Sequence, residues 1–361
     1  MAAVGAPHFP DHDASSRLSS SRFVARWDLD KTYLRTDFDT LRDLVRTAIE
    51  RPDQKRTVPG AAALLRELGR AGVETHILSG SPEQLRSRII EKLRLDGVRY
   101  SSLRLKPNLE NLLRLRFRAL RGQLGYKLPA LIVGRCELPQ QRDENGGLIC
   151  ESLFGDDAEA DAFVYSLYAD ACRGTVGEAL LSEVLERGGA YEDSIRDSVR
   201  LLKYISKGPV VERVLIHLER QSSPSDFKLY GSRVVPFYNY LQATFVLFED
   251  GRLPARSVLT VATDLAIVHN FEPTALSRSY LDLFRRGHVR GARLAELEEE
   301  VAILVQSRKA AATSEILRMM DTIREAGTRP APTISLDHAV DYLALVEQHN
   351  PRHGHKRKRK R

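Results

Sequence analysis

Cysteine is scarce in this chain and long apolar runs are missing. The three cysteines in 361 residues, Cys136, Cys150 and Cys172, are odd in number and show no paired spacing for zinc. A disulfide framework is therefore not expected, and a reducing cytoplasm is the expected location. No stretch approaches the roughly 20 apolar residues of a membrane span. Residues 1–21 lack the apolar centre of a secretory signal and read as a disordered arm of small and polar residues. Internal repeats are also absent. What remains, 42% hydrophobic and 29% charged, suits a chain that buries a substantial core in two domains.

Net charge is concentrated at one end. Six of the formal +7 charges lie in residues 356–361, so the body is nearly neutral. Such a run reads as a solvated tail able to touch anionic lipid or nucleic acid without sequence specificity.

The most informative segment is Val24-Ala25-Arg26-Trp27-Asp28-Leu29-Asp30-Lys31-Thr32, a short apolar run that ends in two carboxylates spaced i, i+2. On a strand, both would project from one face at the carboxyl end, where open α/β sheets bind ligands. One carboxylate is then placed to attack phosphorus or hold a divalent metal, and its neighbour to protonate a leaving oxygen. A second strand candidate at 73–78 runs into Ser79-Gly80-Ser81-Pro82 and a helical pattern over 83–93. There a hydroxyl and exposed N–H groups at a helix start would suit a phosphate, and an ordinary N-cap with Pro at N1 would fit as well. A third strand candidate at 148–154 leads to Gly155-Asp156-Asp157-Ala158-Glu159-Ala160-Asp161, four carboxylates within six residues. A hard cation with oxygen ligands, Mg²⁺ foremost, would account for them, and solvated loop acids are the alternative. Lys127, at the start of an apolar helix-like stretch, would balance this charge, with Lys106 as the competing lysine.

In this order the four pieces resemble the haloacid dehalogenase superfamily of phosphotransferases. More narrowly, Ser79-Gly80-Ser81-Pro82, the 155–161 run and the following Phe163-Val164-Tyr165 look like the catalytic domain of the actin-patch-associated phosphatidate phosphatase family. The resemblance covers residues 22–172. It implies an α/β fold, a Rossmann-like parallel sheet with helices on both faces, and Mg²⁺-dependent phosphomonoester hydrolysis through an aspartyl-phosphate. By this resemblance Asp28 is the nucleophile and a metal ligand. Asp30 is the general acid and base, its carbonyl on the metal. Ser79 and the N–H of Gly80 bind the phosphoryl group, Lys127 balances charge, and Asp156 completes the metal site with Asp157 or Asp161 in support. The chain departs from the related lipid phosphatases at Lys31, where they usually have Asp, and in a Lys127-to-Asp156 interval stretched by the polar loop 140–147. Phosphatidate or another lipid phosphate is the narrower substrate expectation, with the enzyme peripheral at a membrane. A catalytically silent scaffold binding partners is the alternative from another class.

Elsewhere, apolar residues recur at helical spacing over 38–51 and 59–71, with Leu64, Leu65 and Leu68 on one face. The interval of 47 positions from Thr32 to Ser79 leaves no room for a large inserted cap, so the site is expected to be open, favouring a bulky or interface-bound ester. The phosphatase-like domain is placed at about 22–175. A mainly helical domain follows at 176–326, with a strand at 210–218, a buried helix at 234–248 and an apolar stripe of Leu294, Leu297, Val301 and Leu304. His217 and His269 read as satisfied core residues. A linker at 327–335, a short helix at 338–347 and the basic tail complete the chain.

Overall fold

The computed structural model describes residues 22–34, 57–106, 120–307, 312–327 and 338–349. The arm at 1–21, the helix read at 38–51 with the open-site argument that depends on it, the linker at 327–335 (except residue 327) and the basic tail lie outside the described residues.

Strand β1 (Phe23–Asp28) is buried at all six positions. Parallel strands covered on both faces read as continuous apolar runs rather than alternating ones, and this strand interrupts the run only with Arg26 and Asp28. After β1, helix α1 (Ala61–Arg70) buries Leu64, Leu65 and Leu68 as its periodicity requires. Next come β2 (Glu74–Pro82), α2 (Arg86–Leu95), β3 (Ser102–Lys106), α3 (Leu120–Cys136), β4 (Cys150–Asp156) and α4 (Asp161–Arg173). Two more helices, α5 (Glu178–Arg187) and α6 (Glu192–Leu202), precede β5 (Val211–His217) and β6 (Val234–Phe237).

The six strands form one parallel sheet of order β3-β2-β1-β4-β5-β6. Sequence-adjacent strands run outward to one edge and then outward to the other, so the order reverses between β1 and β4. In such sheets the crevice at the carboxyl ends of the two strands flanking the reversal is the ligand position. Those ends here are Asp28 and Asp156. Trp27 and Phe154, one residue earlier on each strand, stack at 3.9 Å between ring centroids.

The chain divides into two compact units, but not at the expected position near 175. Among the described residues, one comprises 22–34, 57–58, 73–106, 120–236 and 338–349; the other comprises 59–72, 237–307 and 312–327. The boundary moves because β5 pairs in parallel with β4 from Glu151↔Val211 to Asp156↔His217, so the strand expected in the helical half completes the sheet. The helix expected over 234–248 is likewise split into β6 and α7 (Tyr240–Glu249), since Val234-Val235-Pro236-Phe237 is β-branched and its Pro cannot continue a helix.

The second unit is helical among the described residues: α1, α7, α8 (Ala255–Val268), α9 (Pro273–Arg285), α10 (Leu294–Ser307) and α11 (Thr313–Gly327). Glu67, 2% exposed on α1, accepts from Ser257 Oγ of α8 at 2.8 Å. Leu297, Val301 and Leu304 of α10 are buried as their stripe predicts. His269 is partly exposed and lies 3.6 Å from Asp264, so it is not the core residue expected. The last helix, α12 (Tyr342–His349), belongs to the sheet unit, where Tyr342 donates to Asp170 of α4 at 2.5 Å. No helix among the described residues is long and apolar enough to cross a membrane.

Candidate active site

β1 ends at Asp28, and Asp30 does not continue it. Residues 29–34 fold back instead, with the N–H groups of Tyr33 and Leu34 both donating to Leu29 O at 2.9 Å. Lys31 takes a left-handed φ of 59°, unusual for a residue with a side chain, which turns the loop. The two carboxylates are therefore presented by a strand end and a tight turn, not by alternation along one strand. His217, at the end of β5, has Nδ1 3.3 Å from Lys31 O, so this buried histidine borders the loop at the carboxyl edge of the sheet.

The expected helix start after Ser79 is also displaced. Pro82 holds its predecessor in extended backbone, so β2 runs on to residue 82, and α2 begins at Arg86 after a single 3₁₀ turn. Ser79 and Ser81, both buried, turn their hydroxyls onto Asp30: Ser79 Oγ donates at 2.8 Å and Ser81 Oγ at 2.9 Å to Asp30 Oδ2. Ser79 Oγ also accepts from Ser81 N at 2.9 Å. Gly80 adjoins open space, since a Cβ there would meet nothing within 4 Å.

Lys127 is fully buried on α3, and its Nζ lies 3.0 Å from Asp28 Oδ1, 2.8 Å from Glu159 Oε2 and 2.6 Å from Asp161 Oδ1. Pro129, two residues on, cannot donate to Gly125 O, and Ser194 Oγ of α6 supplies the missing partner at 3.2 Å. The helix thus stays continuous past its proline and holds Lys127 in place. Lys106, the competing candidate, is half-buried at the end of β3, 6.0 Å over the Tyr126 ring.

The acidic run divides its labour. Asp156 Oδ1 accepts from Ala158 N at 2.6 Å and Glu159 N at 2.9 Å, while its Oδ2 is buried without a hydrogen-bond partner. Asp161 opens α4 and accepts from Asp156 N at 3.1 Å. A Cβ at residue 155 would lie 2.4 Å from Asp161 Oδ2, which is why Gly155 precedes the pair. Asp157 does not join the cluster. It accepts backbone N–H groups from Arg220 at 2.8 Å and Ser222 at 3.0 Å, fastening the loop that follows β5. Of the two acids expected in support of the metal site, Asp161 is therefore the one beside Asp28 and Asp156, and Asp157 stands apart from them.

Glu159, counted in the acidic run but assigned no role from the sequence, is the third carboxylate on Lys127. Its Oε2 also accepts from Gln123 Nε2 at 2.6 Å. The carboxylate oxygens of Asp28, Glu159 and Asp161 lie within 4.8 Å of one another, a spacing that admits a metal ion. The Lys127 ammonium is in contact with all three, so in this arrangement it answers their charge. Asp156 Oδ2, buried and without a hydrogen-bond partner, is a further oxygen of the kind a hard cation binds.

The electrostatics follow from crowding. Burial pushes Asp28 well above the usual carboxylate range; Lys127 opposes this, and Asp161, Glu159 and Asp156 add to it. Burial likewise raises Asp156, with Asp161 and Glu159 adding to the shift. Asp161 is pushed up to about 6 by burial, against the pull of Lys127. Asp30 is raised by burial despite the Ser79 hydrogen bond. For Lys127 burial alone would lower the value, but Asp161, Asp28 and Glu159 together hold it well above the ordinary one.

Sequence reasoning passed over Gln123, which stands one helical turn before Lys127, and Thr32, whose Oγ1 donates to Asp28 Oδ2 at 3.2 Å. The i, i+4 spacing was the available signal for the first, and the position within D-x-D-x-T for the second. No family model, no curated protein and no solved structure matches this chain.

Proposed function

We propose that the sheet unit is a Mg²⁺-dependent phosphatase that hydrolyses phosphomonoesters through a phosphoryl group carried on Asp28. The observation that supports this most is the meeting of Asp28, Asp156, Lys127 and the Ser79–Asp30 pair at the carboxyl ends of the two strands flanking the sheet's order reversal. Such an excess of buried carboxylates is poorly explained by stability, and perturbed carboxylates in a crevice mark functional sites. The resemblance to the haloacid dehalogenase superfamily supplies the reaction class.

Asp28 and Asp156, with the carbonyl of Asp30, would hold the metal, which when bound would supply positive charge against the phosphoryl oxygens. An Asp28 carboxylate oxygen attacks phosphorus, and the bond to the leaving oxygen breaks. Asp30, its carboxyl raised by burial, gives that oxygen a proton. The resulting acyl phosphate is then opened by water, whose proton returns to Asp30, and Asp28 is released with inorganic phosphate. Lys127, in contact with Asp28, favours its carboxylate form before the attack, against the pull of burial. Gly80, bordering open space, would offer its N–H to the phosphoryl group beside the Ser79 hydroxyl. Phosphatidate or another lipid phosphate is the narrower proposal for the substrate.

The test is a panel of phosphatidate, sugar phosphates, nucleotides and phosphoprotein, assayed with Mg²⁺ and with chelator. At least one monoester should turn over only with Mg²⁺, and Asp28→Asn should abolish that turnover because an amide cannot attack. Wild-type turnover in the Asp28→Asn protein would refute the nucleophile.

A further inference from the structure

An ammonium has three N–H donors, and Lys127 has three carboxylate neighbours, so a further anion reaches it only by replacing one of them. The three are not equally held. Asp28 closes β1 and Asp161 opens α4, with side chains 1% and 0% exposed, and Asp161 also receives Asp156 N–H. Glu159 is 14% exposed and stands on the turn between β4 and α4. Its backbone is anchored independently of its side chain, through N–H to Asp156 Oδ1 at 2.9 Å. The side chain can therefore swing outward while the turn and Asp156 stay in place. What grips its carboxylate is a pair of donors one turn apart on α3: Lys127 Nζ at 2.8 Å and Gln123 Nε2 at 2.6 Å.

We infer that Gln123 and Lys127 form an anion cradle that the Glu159 carboxylate fills and that the phosphoryl group of the substrate takes over, Glu159 moving out toward solvent. This rests on the reading of Asp28 as phosphoryl acceptor. A phosphoryl group presented to Asp28 arrives beside an ammonium 3.0 Å from Asp28 Oδ1. Its oxygens satisfy the same two donors that Glu159 vacates, so the exchange leaves neither donor buried without a partner. With Glu159 in place, the incoming group would meet a carboxylate instead of a donor. Glu159 is thus an internal competitor of the substrate, and the ligand class that displaces it is a multiply charged phosphomonoester rather than a singly charged diester.

Calorimetric titration of the full-length protein with inorganic phosphate, in Mg²⁺ at neutral pH, tests this. Glu159→Gln should bind phosphate about 10-fold more tightly than wild type, and Gln123→Leu about 10-fold more weakly, the size of one hydrogen bond to a charged group. Mg²⁺ affinity, titrated separately, should be unchanged in both. Glu159→Ala should follow Glu159→Gln, and thermal unfolding of each variant shows that it is folded. Equal or weaker phosphate binding by both folded Glu159 variants overturns the cradle, and a parallel loss of Mg²⁺ affinity reassigns Glu159 as a metal ligand. Hydrolysis of an aryl phosphate by wild type judges the Asp28 reading separately. Turnover without tightening in the Glu159 variants removes the cradle alone; absence of both turnover and phosphate binding in every protein removes both.

Discussion

Arg26 and Asp28 lie on the same face of β1, two residues apart, and each belongs to a buried charged cluster completed from β4. Arg26, 5% exposed, donates through Nε to Glu151 Oε2, and Tyr168 OH donates to the other oxygen of that carboxylate. Its guanidinium packs against Gly134 of α3, where a Cβ would come 2.6 Å from Nη1. Nearby Arg135, fully buried, gives Nη1 to Ile149 O at 2.6 Å. The Glu151 carboxylate is paired with the Arg26 guanidinium and the Tyr168 hydroxyl, while Arg135 is held by a backbone carbonyl. At the carboxyl edge, Asp28, Glu159 and Asp161 contact one ammonium, that of Lys127, whose charge also acts on Asp30 and Asp156. Both clusters lie in the same unit and on the same strands, so burial alone does not distinguish them. The difference lies in the charge balance. A matched buried pair is a structural device that fails when one partner is removed, whereas an excess of like charge opposes folding and points to a cation or a reaction.

The contrast is sharpest in stability. Glu151→Gln leaves Arg26 buried without a counter-charge and should lower unfolding free energy by about 3–5 kcal/mol in urea titrations. Asp28→Asn relieves crowding and should leave stability unchanged or raise it by up to about 2 kcal/mol without Mg²⁺. Equal losses in the two variants would dissolve the distinction between the clusters.

Within the crowded cluster, Asp30→Asn should slow turnover by about 10²–10⁴-fold for alkyl phosphates, the usual size of general acid–base catalysis. Aryl phosphates, whose leaving groups need less protonation, should suffer less in the first step, and quenched reactions should trap phosphate on Asp28. An equal loss for both ester types with no trapped species would place the acid elsewhere.

The smallest effect concerns pH. Asp161 lies at about 6 in the folded protein against 3.8 ordinarily, so the folded state keeps this proton longer than the unfolded chain. Its contribution to stability is then full below pH 3.8 and is lost as pH rises to about 6, a fall of about 1–3 kcal/mol without Mg²⁺. Added Mg²⁺ should act in the opposite sense, stabilising more at pH 7.5 than at pH 5, because a cation competes with the protons on these carboxylates. Melting temperatures at the two pH values, with Mg²⁺ and with chelator, report both signs.

What the amino-acid sequence determined by itself was local. The apolar run through Trp27 reads as a buried strand, the Leu64, Leu65 and Leu68 spacing as a helix face, and the carboxylates at 28, 30 and 156–161 fall at or just past strand ends because the residues before them are apolar and β-prone. Lys127 was legible as a buried cation only beside those acids, and its i, i+4 partner Gln123 was marked only by that spacing. Tertiary structure decided the rest. The pairing of β5 with β4 moved the unit boundary to the end of β6, because a strand's partner lies far away in sequence and leaves no local mark. Neighbouring acids with similar local surroundings were separated by the direction of their side chains. Asp157 turned to the N–H groups of Arg220 and Ser222, Glu159 to Lys127 and Gln123, and Asp156 kept one oxygen without a partner. Hydrogen bonds and Coulomb forces act within a few ångströms, so a carboxylate's chemistry is set by what folding brings to that distance, and sequence spacing constrains this only within a single element.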